Sequence, residues 1–133
     1  MACFLVPTAE AIVVTAATQA VKMNEEKKAA ARPAADEAPV QEGIPFSRKL
    51  KWLCTMLWGG ALLLAFEHLW HGEVTPWFPF LTAAKDPADT AEMLSEMSTV
   101  GVTMAILVTV VWAGMVLVSN LLEKRSPSRQ ITQ

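Results

Sequence analysis

Residues 97–122, MSTVGVTMAILVTVVWAGMVLVSNLL, contain no charged side chain. A helix needs about 20 apolar residues to cross a hydrocarbon core of roughly 30 Å, so this stretch predicts a membrane span with length to spare for tilt. The charged segment EKRSPSR follows at 123–129 and reads as a basic stop closed by a proline.

Working back from this span, residues 51–71 form a second apolar run. Lys51 and Trp52 anchor one end, and Trp70 and His71 the other. The first run, 1–22, is richer in alanine and threonine and carries Pro7 and Glu10. It lacks the basic start of a secretory signal peptide and predicts a retained span. The alternative is a helix lying on, or packed beside, the other two. The expected fold is therefore an all-α integral membrane protein with three transmembrane helices, about 1–22, 51–71 and 97–122. Residues 23–49 form a polar linker, disordered or partly helical. Residues 50–125 form a helical hairpin with an aromatic loop at 72–86, and residues 126–133 a short tail.

Charge sets the expected orientation. Lys22, Lys27, Lys28, Arg48, Lys49 and Lys51 flank the linker, and Lys124, Arg125 and Arg129 follow the third span. The loop between spans two and three has Lys85 against Glu73, Asp86, Asp89, Glu92 and Glu96. Positive charge favours the cytoplasmic side. The linker and C-terminus are therefore expected in the cytoplasm, with the N-terminus and the Trp77 loop outside a plasma membrane of bacterial type. In the loop, Trp77, Phe78 and Phe80 stand among Pro76 and Pro79 and suit a membrane interface. Asp86 followed by Pro87 and Asp89 reads as the cap and first turn of the third helix, predicted to run unbroken to about Glu123.

Net charge is −2, with no basic face, which excludes nucleic acid as a partner class. Cys3 and Cys54 lie in different apolar runs, so no disulfide framework is expected. No phosphate loop, CxxC pair or GxSxG stretch occurs, and no independent enzyme is expected.

Four features could carry chemistry. The stretch FEHLWHGE, 66–73, holds both histidines of the chain. On a helix Glu67 and His71 share a face, and His68 lies about 100° from Glu67. Glu92 and Glu96 make a second i, i+4 pair. Facing each other, Glu67, His68, His71, Glu92 and Glu96 could hold a transition metal; otherwise they are interfacial groups meeting water and headgroups. Glu10, about 13 Å into the first run, is either an intramembrane carboxylate near Thr8, Thr103 or the Gly59–Gly60 backbone, or a wet surface group. Pro7 beside Thr8 predicts a kink there. Small residues recur at packing spacing: Thr55 with Gly59, Ala61 with Ala65, and Gly101 with Ala105, with Gly60 adjacent. Met93, Met97, Met104 and Met115 recur along the third helix as a packing stripe; the alternative is that Met93 and Met97, with Cys3, are soft copper(I) ligands. No cofactor other than a transition metal is expected. Together the features favour a non-catalytic subunit that packs in lipid against copies of itself or other membrane subunits. A metal- or proton-handling subunit, or a small transporter component using Glu10, is the alternative.

Overall fold

The computed structural model describes residues 2–31 and 43–125. Residues 32–42 of the expected linker and the expected tail 126–133 lie outside them. Three long helices, α1 (Leu5–Ala30), α2 (Phe46–Trp70) and α3 (Pro87–Arg125), run up, down and up. A 3₁₀ turn at Thr82–Lys85 precedes α3, and a π-helical turn at Met97–Gly101 interrupts it. Among the described residues the extended structure is one isolated bridge, Val74 to Leu81. The most extensive packing joins α1 to α2, and α3 leans on both. One end of the bundle, the loop end, gathers the start of α1, the close of α2 and the start of α3. The opposite end is the linker end.

Among the described residues two helices, α2 and α3, are long and apolar enough to cross a membrane. Only 22% and 11% of their most apolar windows are buried within the chain. Leu62, Leu63 and Phe66 on α2 and Ile106, Leu107 and Val110 on α3 are exposed. A helix in the core of a water-soluble protein buries such residues, because each would gain about 1.5–3 kcal/mol by leaving water. α1 falls outside that pair. Its hydroxyls are instead satisfied close to home: Thr8 donates to the Phe4 carbonyl (2.7 Å), Thr15 to Ala11 (2.6 Å) and Thr18 to Val14 (2.7 Å).

Helix boundaries follow local chemistry. α1 continues past residue 22 because Glu25, Glu26, Lys27, Lys28 and the alanines after them are good helix formers. Pro7 is its third residue, within the first turn, where an N–H has no helical partner in any case. It removes no hydrogen bond there, and the reason for the expected kink disappears. α2 begins at Phe46, earlier than the expected 51, after an extended Pro45 that supplies no side-chain cap. Glu25 of α1 caps it instead, accepting from the Ser47 backbone N–H at 3.2 Å. The Ser47 side-chain hydrogen bond, aided by the N–H groups of Ser47 and Phe46 and by Lys28, outweighs partial desolvation. It holds the Glu25 carboxyl below its ordinary 4.5. α3 starts as its sequence predicts: the Asp86 carboxylate accepts from the Ala88 N–H (2.8 Å), with Pro87 in the first turn. The π turn corrects the expectation of an unbroken helix.

Two apolar clusters hold the bundle. Ala11, Leu53 and Leu57 meet Val14, Val108 and Trp112 between the three helices. Leu57 is 1% exposed. At the loop end, Ala2, Ala83 and Met93 pack with Phe4, Leu81 and Met97. Gly101 lets α1 approach α3: a Cβ there would lie 2.9 Å from Val6 Cγ2 and 3.0 Å from the Cys3 carbonyl oxygen. The linker end is closed by polar bonds. Lys49, 5% exposed, donates to Asn120 and forms an ion pair with Glu123 (3.2 Å). The Trp112 indole donates to the Lys49 carbonyl (2.7 Å).

Candidate functional site at the loop end

The close of α2 builds the site. Gly72 takes a left-handed φ of +72°, which glycine adopts without a steric penalty. Its N–H bonds the Leu69 carbonyl (3.1 Å), and the Glu73 N–H bonds the His68 carbonyl (3.0 Å). These two bonds make a Schellman close, which satisfies carbonyls the helix would leave open. They also fold Glu73 back over His68. Glu73 is held from its other side by Thr82, whose N–H and hydroxyl both donate to the Glu73 carbonyl (3.0 and 3.1 Å). The loop beyond is pinned by the Thr75 N–H to the Phe80 carbonyl (2.9 Å). It leaves Trp77, Phe78 and Phe80 exposed.

His68 is 7% exposed. Its Nδ1 stands 2.7 Å from the Leu64 carbonyl. A carbonyl can only accept, so Nδ1 carries a proton, and in the neutral ring Nε2 presents a lone pair. Around Nε2 lie Cys3 Sγ at 3.4 Å and Glu73 Oε2 at 3.7 Å. The Phe4 ring meets the imidazole edge-on, with centroids 5.4 Å apart. His71 repeats the pattern in the open: its Nδ1 donates to the Glu67 carbonyl (2.9 Å), and the residue is exposed.

A cavity of about 390 Å³ brings Cys3, Glu67, His68, His71, Glu73 and Glu96 together, with Met104 on its wall. Four of the five residues expected from sequence therefore share one pocket. Glu92 is exposed and does not line it. Among the described residues, no group of three or more His, Cys, Asp or Glu side chains is arranged to hold a metal ion. The methionines divide between tasks: Met93 is buried core, Met97 packs against it, and Met104 faces the pocket. Cys3 and Glu73 were not singled out with the histidines. A glycine following the second histidine was the signal for Glu73, whereas the pairing of Cys3 with His68 spans 65 positions and has no local signature.

Glu10 lies elsewhere, midway along the bundle and half-buried, where it accepts from the Thr109 hydroxyl of α3. Thr109 replaces the partners expected from sequence. Thr8 is bonded to its own helix, Thr103 is exposed, and Gly59 and Gly60 have open space around them. Of the small residues, Ala61, Gly101 and Ala105 are buried within the chain, Ala65 is half-buried, and Gly59 is exposed. No protein-family model, curated protein or solved structure matches the chain.

Proposed function

We propose that the chain is a three-span plasma-membrane protein that acts as a non-catalytic subunit, assembling with copies of itself or with other membrane subunits. The N-terminus and aromatic loop lie outside, and the linker and C-terminus lie in the cytoplasm, following the distribution of Lys and Arg. One observation carries the assembly reading. Thr55 and Gly59 lie exposed on α2, and a Cβ on Gly59 would meet nothing within 4 Å. Glycine in an exposed helix costs about 1 kcal/mol against alanine, and small residues at i, i+4 let a second helix approach closely in lipid. Among the described residues nothing packs on Gly59, so another helix is the natural occupant.

The test is the mass of the detergent-extracted assembly, by native mass spectrometry, for the parent and for Gly59→Leu. Leucine has room within the chain, so the fold should persist while the assembly falls apart. An assembly of unchanged mass, or a parent that is a lone chain, would defeat the reading.

A second reading, metal or proton handling, draws on the convergence of four carboxylate or imidazole groups from the sequence-expected set on one pocket. Glu10 with Thr109 would be the mid-depth proton carrier. It predicts transition metal that is lost when His68 and His71 are both alanine; equal metal content in parent and variant would sink its metal half. Its proton half requires a flux that responds to Glu10→Gln.

A further inference from the structure

The loop-end pocket holds a thiol that assembly does not employ. Cys3 is buried against the imidazole yet lines the cavity. The bond from Nδ1 to Leu64 leaves the Nε2 lone pair as the acceptor facing Sγ at 3.4 Å, so the thiol is the donor in that contact. A nucleophile bonded to a base, with the base oriented by a third group, is the arrangement that activates sulfur. Glu73, 3.7 Å from the same nitrogen, stabilises the imidazolium that forms when the proton moves. The cavity walls carry Glu67, Glu73 and Glu96, a carboxylate lining that disfavours anionic electrophiles such as acyl thioesters of nucleotides and admits a small neutral one.

We propose that Cys3 is a hydroperoxide-reactive thiol with His68 as its proton carrier. The Sγ proton passes to His68 Nε2 as the sulfur attacks one peroxide oxygen. The S–O bond forms while the O–O bond breaks, and the departing hydroxide or alkoxide takes the proton from Nε2. Thiol and hydroperoxide thus become sulfenic acid and water or an alcohol; sulfur loses two electrons and the peroxide gains them. Cys54 does not resolve the product. It sits 14 positions from His68, about 21 Å along α2, where its sulfur meets the Thr18 hydroxyl at 3.4 Å. An external low-molecular-weight thiol returns Cys3 to the reduced state.

The experiment uses the full chain in detergent and hydrogen peroxide as the probe, in parallel samples with and without a chelator. Sulfenic acid is trapped with dimedone and located by peptide mass spectrometry, with Cys54 as the internal reference. Cys3 should be labelled at least about tenfold faster than Cys54, a threshold set below the roughly 10²–10⁴-fold that a positioned base contributes. In His68→Gln, its rate should drop towards that of Cys54. Equal labelling of the two cysteines, or a Cys3 rate unchanged in His68→Gln, overturns the proposal. So does labelling seen only without chelator, which would assign the oxidation to a bound metal. Should His68→Gln fail to fold, Glu73→Gln decides: it keeps the backbone bonds to His68 and Thr82, and a Cys3 rate equal to the parent's overturns the proposal.

Discussion

Replacing Gly101 with alanine inserts one methyl group where the start of α1 lies close against α3. The new carbon would stand 2.9 Å from Val6 Cγ2 and 3.0 Å from the Cys3 carbonyl oxygen. Neither neighbour yields easily. Valine in a helix has one strongly preferred rotamer, and the carbonyl belongs to the backbone, so relief requires the start of α1 to move. Overpacking of this kind costs about 1–3 kcal/mol. Against it stands the roughly 1 kcal/mol that alanine contributes over glycine in a helix. The balance is a destabilisation of up to about 2 kcal/mol. Gly114, also on α3, supplies the matched control. Nothing lies within 4 Å of its hypothetical Cβ, so Gly114→Ala should stabilise by up to about 1 kcal/mol. Reversible unfolding by sodium dodecyl sulfate in mixed micelles, followed by circular dichroism, measures both variants. The displaced helix start should also expose Cys3, and its alkylation should quicken while that of Cys54 stays constant. Equal stabilisation by the two substitutions would refute the close approach of α1 to α3.

Other consequences follow from the same contacts. Asn120→Leu removes the carbonyl that Lys49 donates to, and should cost about 1.5–3 kcal/mol in the same unfolding assay, as for a hydrogen bond to a charged group. Leu57→Ala empties the centre of the bundle and should cost about 2–5 kcal/mol. Gly72→Ala places a side chain at φ +72° and should cost about 1–2 kcal/mol; slower dimedone labelling of Cys3 would show that Glu73 had been displaced from His68. Glu25, with its carboxyl held below 4.5, contributes stability that is complete above 4.5 and lost as pH falls through the lower folded value. Glu25→Gln should flatten that acid limb in melting curves recorded against pH, and an unchanged limb would exclude the cap.

The apolar helices could be read from composition because a bilayer demands long uncharged runs, and 97–122 meets that demand without help from the rest of the chain. The start of α3 was equally legible, since Asp86 and Pro87 act on their immediate neighbours. What escaped reading depends on distant partners. Lys49 looked like one more basic flanking residue, yet Asn120 and Glu123, across the bundle, draw it into burial. Glu25 looked like a linker charge, and its role as a cap arises only because α1 passes the start of α2. The histidines were legible from their spacing on one helix, but the thiol beside His68 is that of Cys3, which the fold brings from 65 positions away.

The π turn at Met97–Gly101 has a consequence for angular phase. An α-helix advances about 100° per residue, so twelve residues would leave Met93 and Ala105 some 120° apart around α3. A π turn spends one more residue on a revolution than the α-helix does. With that residue absorbed, the offset shrinks to roughly 20°. Both residues are buried, Met93 beneath the loop-end cluster and Ala105 further down the bundle. The turn thus acts as a vernier between two helical segments of different surroundings. Deleting a single residue within 97–101 would remove the extra residue and restore a regular helix with the offset of roughly 20° intact, leaving Glu96 at the pocket and Met93 in the core. Keeping every residue while the turn became regular α-helix would instead swing the segment from Pro87 to Glu96 by about 100°, carrying both side chains away from those positions.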